Sequence, residues 1–477
     1  MVKLRSHQQK SVNMFRKTRG LILNHGMGSG KTLTSIACAE DAMKNKPNLQ
    51  IHVAVPAKLV SNYEKELAKA NANTSKYIIM SHDKYIKWIQ PPYSNILLIV
   101  DEAHILRNAT TEKSKVFFKV ARYCYKVLLL TGTPLVNYPS DASHLLNMIK
   151  GNKFLPTDQK IFNTKFIKTS TETNFFPFTK KITKINIIKK KELAKAFKNH
   201  ISCIKTTIKD FPSVSYTYRR VDMSPQQYLV YRDMEREYLS SKAKRIMAET
   251  GSSQVLNTFM NKTRQISNII KNHKRSPKIN AIKKQIKNDN MFPVLIYSFF
   301  LDAGVNPMFK TLSKKYKCKR ITGDTNKLEL EDITKKYNTK KLDILLISGA
   351  AGFGLDLKRT MSIHIMEPTW NKANIDQVIG RGVRYKSHID LPEKKRHVKV
   401  YHWLSVIPKS LSSFVSKPRP SADEYLYEIS LQKSKLLEEY GKVICDSISA
   451  SGGGVSNDIK SKNIYSNFDI HQFINMY

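Results

Sequence analysis

The sequence predicts an α/β protein built from parallel sheets covered by helices, and the prediction rests on a recurring pattern and two strand-end motifs. Short apolar runs recur at residues 21–23, 51–55, 77–80, 96–100 and 127–130, then at 294–297, 344–347, 363–366 and 398–403. Polar, helix-compatible stretches separate most of them, as expected when each strand is followed by a crossover helix. The runs fall into two groups, so two α/β units are expected. The first run leads into a glycine-rich loop, and the fourth ends on an acidic pair.

The loop is His25-Gly26-Met27-Gly28-Ser29-Gly30-Lys31-Thr32, followed by a helix-compatible stretch over 33–43. In a phosphate-binding loop, glycines let backbone N–H groups close on the phosphates. Lys31 then supplies a point charge near the β and γ groups, and the Thr32 hydroxyl can hold Mg²⁺. The strict pattern has glycine where His25 stands, and by itself the segment also suits an ordinary glycine-rich turn. The fourth run answers that doubt by ending at Asp101-Glu102-Ala103-His104. Asp101 at such a strand end can reach the Mg²⁺ held by Thr32, while Glu102 can orient and deprotonate the attacking water. Together the two segments specify nucleoside triphosphate hydrolysis.

A length of 477 residues allows two to four domains with substantial cores. Hydrophobic residues at 41% and charged residues at 25% describe a soluble globular chain. The net charge of +43 predicts a polyanionic partner, nucleic acid first, although a lysine-rich surface can also serve solubility alone. The five cysteines, Cys38, Cys124, Cys203, Cys318 and Cys445, are all far apart in sequence. Without zinc or redox spacing they read as free thiols of a reducing compartment. The N-terminus has no apolar signal core and no window approaches 18 uninterrupted apolar residues, so secretion and membrane spanning are not expected.

Between the two groups of runs, residues 150–290 turn lysine-rich and helical in character, with a boundary expected near Pro212 to Tyr216. The expected division is residues 1–215, residues 216–448 and a flexible linker with tail over 449–477, where Ser-Ala-Ser-Gly-Gly-Gly-Val-Ser begins the linker.

Further motifs follow in a definite order. Gln8 precedes the loop, and its amide could pair with adenine. Thr131-Gly132-Thr133-Pro134 follows the acidic box. Beyond it lie Tyr297-Ser298, Gly352-Phe353-Gly354-Leu355-Asp356 and Gln377-Val378-Ile379-Gly380-Arg381-Gly382-Val383-Arg384. With these residues in this order the chain resembles superfamily 2 helicase-like ATPases, and among them the Swi/Snf-type DNA translocases, over roughly residues 1–405. The resemblance implies two RecA-like lobes with parallel sheets and helical insertions, and ATP with Mg²⁺ in the cleft between them. It implies that Gln8 reads adenine and that the hydroxyls around Gly132 couple hydrolysis to DNA. Residues 25–32, with Gly354 and Asp356, would contact the nucleotide. Arg381 and Arg384, with Gln377 beside them, would act as arginine fingers from the second lobe, where a guanidinium stabilises the charge that spreads over the γ-phosphoryl oxygens.

Gly349-Ala350-Ala351 departs from the Thr-Arg-Ala usual in that family, and with the motor filling almost the whole chain no accessory chromatin-reading domain is expected. Tyr385-Lys386-Ser387-His388, Asp210-Phe211-Pro212 and Ser421-Ala422-Asp423-Glu424 are similar to the helicase-like ATPases of large cytoplasmic DNA viruses, such as the poxvirus nucleoside triphosphate phosphohydrolases and early transcription factors. This likeness implies duplex DNA and viral RNA polymerase or transcription machinery as partners. It also implies work in the host cytoplasm or virion, or in the nucleus for a non-viral chain. The alternatives left open are a strand-separating DNA or RNA helicase and a basic nucleic-acid-binding scaffold with weak ATPase. Trp370, Tyr297, Phe299 and Phe300 flank strand-like runs and are expected in the core rather than as base-stacking platforms.

Overall fold

A computed structural model describes residues 4–26, 29–132, 138–174, 180–204, 210–238, 253–271, 273, 276–349, 355–369, 372–408 and 420–446. Its strands are β1 Gly20–His25, β2 Gln50–Val55, β3 Tyr77–Ser81, β4 Ile96–Val100, β5 Lys126–Thr131, β6 Ile167–Asn174, β7 Lys180–Ile187, β8 Ile201–Ile204, β9 Ser213–Asp222, β10 Val294–Ser298, β11 Cys318–Ile321, β12 Ile344–Ser348, β13 Ser362–Ile365 and β14 His397–Val406. Every apolar run named above lies on one of them, with the run 363–366 reaching one residue past β13.

Two compact units result. One comprises the described residues up to 204 together with 432–446, and the other comprises 210–431. The first holds a six-stranded sheet in the order β3-β2-β4-β5-β1-β8, the second a six-stranded sheet in the order β11-β12-β10-β13-β14-β9. Every pairing in both sheets is parallel. Parallel strands covered by helices on both faces bury both sets of side chains, which is why β4 and β12 are buried throughout. The α/β class with two parallel sheets is therefore what the chain adopts.

Local sequence sets the helix starts. Thr111, Ser81, Asp158, Ser276 and Asn326 each accept a backbone N–H of the following first turn. The core of the first unit lies on both faces of its sheet, with Leu98, Phe117, Leu129 and Phe162 on one side and Leu23, Ile36, Val53 and Leu128 on the other.

Several expectations need correction. The stretch 150–290 is not uniformly helical, because β6 and β7 pair as an antiparallel hairpin and β8 and β9 join the two large sheets. The expected boundary after residue 215 falls inside β9, an edge strand of the second sheet. Cys203 and Cys445 are not free thiols but form a disulfide across 242 residues, joining β8 to the end of the helix Ala422–Asp446. Spacing along the chain could not show it, since only the fold brings the two together. Cys38, Cys124 and Cys318 are free. Phe299 is 49% exposed, against a core expectation, while Tyr297 and Phe300 are buried. Trp370 and the linker and tail over 449–477 lie outside the described residues.

Candidate nucleotide site

β1, β4 and β5 are parallel neighbours or one strand apart, so their C-terminal ends, where ligands bind in such sheets, face the same way. His25 ends β1, Asp101 follows β4 directly, and Gly132 follows β5. Register places Asn24 opposite Thr131 and Val100 opposite Leu129. The sheet thus brings the glycine-rich loop, the acidic pair and the Thr131-Gly132 segment to one edge.

Lys31 opens the helix Lys31–Asn45 and turns its ammonium back over the loop, donating to the His25 carbonyl at 2.8 Å and the Gly26 carbonyl at 3.3 Å. A Cβ at Gly132 would stand 3.6 Å from Lys31 Nζ, so this segment borders the same ammonium. Gly30 adopts φ +81°, and a Cβ there would come within 2.6 Å of Gln8 Nε2. The left-handed backbone favours glycine at that position, and any other residue would also displace the Gln8 amide. Thr32 is half-buried on the first turn, next to Lys31.

Asp101 is nearly enclosed. Its carboxylate accepts the Glu102 N–H at 2.8 Å, and its own N–H donates to Ala54 O at 2.9 Å. Burial pushes its carboxyl up to about 6, with Glu102 adding to the rise and Lys31 opposing it. A buried carboxylate that resists ionising is the donor a divalent cation would relieve, and with the Thr32 hydroxyl the set fits Mg²⁺. Glu102 takes the left-handed region at φ +49° and lies 3.2 Å from His104 Nδ1.

The sign of the Asp101 shift gives a test. A carboxyl held above its unfolded value penalises folding once ionised, so the penalty is absent below about pH 4 and complete above about pH 6. Asp101→Asn is therefore expected to raise Tm at pH 7 in metal-free buffer while weakening Mg²⁺-dependent turnover. In the native protein kcat/KM should fall as pH drops through about 6, where the proton competes with the cation. A profile flat from pH 5 to pH 8 with unchanged Tm for the variant would remove Asp101 from the metal role.

Other expected residues divide clearly. Gln8 is buried, accepting the Arg5 N–H at 2.8 Å and donating to Gly30 O at 3.3 Å, so its amide braces the loop. The His25 ring meets Ser202 Oγ at 3.0 Å, and burial lowers its pKa to about 3, while its carbonyl accepts from Lys31. The Ser29 carbonyl accepts from His7 Nε2 at 3.0 Å. Met27, Gly28, Thr133 and Gly354 lie outside the described residues.

In the second unit, Gln377 and Arg381 sit one turn apart on the helix Lys372–Gly382, with Arg381 buried. A Cβ at Gly382 would meet Thr360 Oγ1 at 2.9 Å, so that helix end packs closely on the segment before β13. Arg384 donates to Leu355 O and to the Asp356 carboxylate, each at 3.2 Å. Asp356 is thus the partner of Arg384.

Sequence reasoning missed His82 and Thr360. His82 Nε2 donates to the Asp101 carbonyl at 2.9 Å and burial keeps the ring neutral. Neither residue belongs to a motif, and only the fold places them.

Comparison with known proteins adds identity. Residues 93–275 match the SNF2-related domain, residues 277–386 the helicase conserved C-terminal domain, and residues 1–136 the type III restriction enzyme res subunit. A proposed ATP-dependent RNA helicase of Acanthamoeba polyphaga mimivirus, L538, is 33% identical over 93% of this chain and 97% of its own. The chain belongs to the SNF2-related, helicase-like ATPases of superfamily 2. As a member it is an ATP hydrolase. It is also similar to the termination factor NPH-I homolog of African swine fever virus, at 25% identity over 88% of this chain and 74% of that one. The SWI2/SNF2 ATPase core of Sulfolobus solfataricus in complex with dsDNA aligns over 93% of this chain and 97% of that one, at 19% identity and a TM-score of 0.35. That score is too low to bear on the fold, which rests on the strand orders above. Among the described residues no helix is long and apolar enough to cross a membrane.

Proposed function

We propose that this SNF2-related ATPase hydrolyses ATP with Mg²⁺ in response to nucleic acid and tracks along duplex DNA in viral transcription or DNA remodelling. The observation that carries the reading is the grouping of Lys31, Thr32, Asp101 and Glu102 on one sheet edge in a chain of net charge +43. Lys31 and the loop N–H groups bind and orient the phosphates. Thr32 and Asp101 would hold the cation, which would offset the negative charge of the phosphates. Glu102 orients water and takes its proton. Gln8 and Gly30 brace the loop, and Arg381, Arg384 and Gln377 act on the same nucleotide from the second unit.

Viral relatives support a role in the host cytoplasm or virion, and the termination factor homolog supports a transcription partner such as a viral RNA polymerase. A second reading, an RNA helicase, is favoured by the description of the mimivirus relative. Phosphate release with duplex DNA, single-stranded DNA and RNA added separately distinguishes them. Duplex DNA should stimulate most, and strongest stimulation by RNA would replace the duplex reading.

Glu102→Gln should retain ATP binding and turn over at least ~100-fold slower, the range for loss of a general base. Lost affinity with normal turnover would make Glu102 a binding residue instead. Nucleic-acid affinity should fall steeply with salt, because neutralising several phosphates releases their counterions. A flat plot of log K against log salt would show that the basic surplus meets something other than a polyanion.

A further inference from the structure

Arg264, on the helix Ser253–Asn268, is only 2% exposed. Its Nη1 reaches Asn261 Oδ1 at 3.4 Å, while Nε and Nη2 have no hydrogen-bond partner among the described residues. A buried guanidinium with unmet donors is costly unless something compensates it. Two rings do so in part, since its Cζ lies 5.6 Å from the centroid of Phe299 and 5.1 Å from that of Phe300. The neighbouring buried carboxylate does not. Glu367 accepts from Ser298 Oγ at 3.0 Å, from Asn268 Nδ2 at 2.8 Å and from the Phe299 N–H, and forms no ion pair with Arg264.

The position matters as much as the unmet donors. Phe299 directly follows β10 and Gly349 directly follows β12, so both stand at the C-terminal edge of the second sheet, where such sheets receive ligands. A Cβ at Gly349 would press on the Phe299 ring at 3.2 Å. Phe300 is buried, but Phe299 is 49% exposed and forms the outer layer over the guanidinium. It can move without opening the core.

We propose that Arg264 is an anion-binding residue of the second unit, taking the two non-bridging oxygens of one phosphodiester of a bound nucleic-acid strand through Nε and Nη2, with Phe299 as its displaceable cover. The paired donors of a guanidinium match two oxygens of one phosphate, which an ammonium cannot do. This inference rests on the nucleic-acid-dependent reading above.

The test uses the full chain and fluorescence anisotropy with a labelled duplex over a salt series. Arg264→Gln should weaken binding about tenfold or more and lower the slope of log K against log salt by about one, as for a lost phosphate contact. Arg264→Lys should keep the slope but not the affinity. Phe299→Ala, a change at a half-exposed site, should tighten binding several-fold in the native background and leave it unchanged in the Arg264→Gln background. That dependence separates a ligand role from a packing role. Equal effects of Phe299→Ala in both backgrounds overturn the proposal, as does a fall in Tm for Arg264→Gln with unaltered affinity and slope. A raised KM for ATP with unchanged duplex affinity also overturns it, by assigning Arg264 to the nucleotide. Should Arg264→Gln not fold, an unchanged affinity for Phe299→Ala alone refutes the cover. Absence of duplex binding by the native protein would instead refute the nucleic-acid reading itself.

Discussion

Lys31→Ala is expected to reduce ATP hydrolysis by ~10²–10³-fold or more while leaving nucleic-acid binding near normal. One preorganised charge aimed at developing negative charge is worth about that much. The structure gives the lysine one evident task besides: it holds the His25 and Gly26 carbonyls across the loop. The loop base has other support. Gly26 N–H donates to Ile204 O at 3.4 Å, His25 is fixed by Ser202, and Gln8 and His7 brace Gly30 and Ser29. The variant should therefore fold, with a small change in Tm. Near-normal turnover in a well-folded Lys31→Ala protein would remove the loop from the ATPase site. A parallel loss of duplex affinity would show that the phosphate loop and the basic surface are one feature rather than two.

How much of this was legible from residues alone follows from burial. β1, β2, β4, β5, β10, β12, β13 and β14 are interior strands, with neighbours on both sides and apolar runs that stand out in the sequence. Of the four edge strands of the two large sheets only β3 stood out as an apolar run, while β8, β9 and β11 did not. β9 reads Ser-Val-Ser-Tyr-Thr-Tyr-Arg-Arg-Val-Asp, alternating rather than continuous, because an edge strand is covered less completely. The chemistry of the first unit was legible because phosphate binding demands particular residue types at fixed spacing. His25 was not, since its role depends on β8 arriving beside β1 to supply Ser202. Phe299 was misplaced for a related reason. Apolar residues beside strands are usually core, and only the turn after β10 shows this ring facing outward over Arg264.

Arg381→Ala and Arg384→Ala should each lower turnover by ~10³-fold or more, the scale of an arginine finger, while ATP affinity without nucleic acid barely changes. Lysine should not rescue either, because an ammonium lacks the planar fork that engages two phosphate oxygens. Both changes should abolish stimulation by duplex DNA, since on this reading nucleic acid accelerates hydrolysis only by bringing these groups to the γ-phosphate. The two residues differ in what else they lose. Arg381 is 8% exposed, so truncation there should also lower Tm, whereas the Arg384 side chain is 26% exposed and held by the Asp356 pair. That pair supplies the control. If Arg384 served only to anchor the segment before Thr360 through Asp356, then Asp356→Ala would reproduce Arg384→Ala in every assay. If Arg384 acts on the nucleotide, Asp356→Ala leaves the guanidinium available and should retain most DNA-stimulated turnover. Matching losses in those two variants, or DNA-stimulated turnover within a few-fold of native in both arginine variants, would reduce Arg381 and Arg384 to parts of the second unit's scaffold.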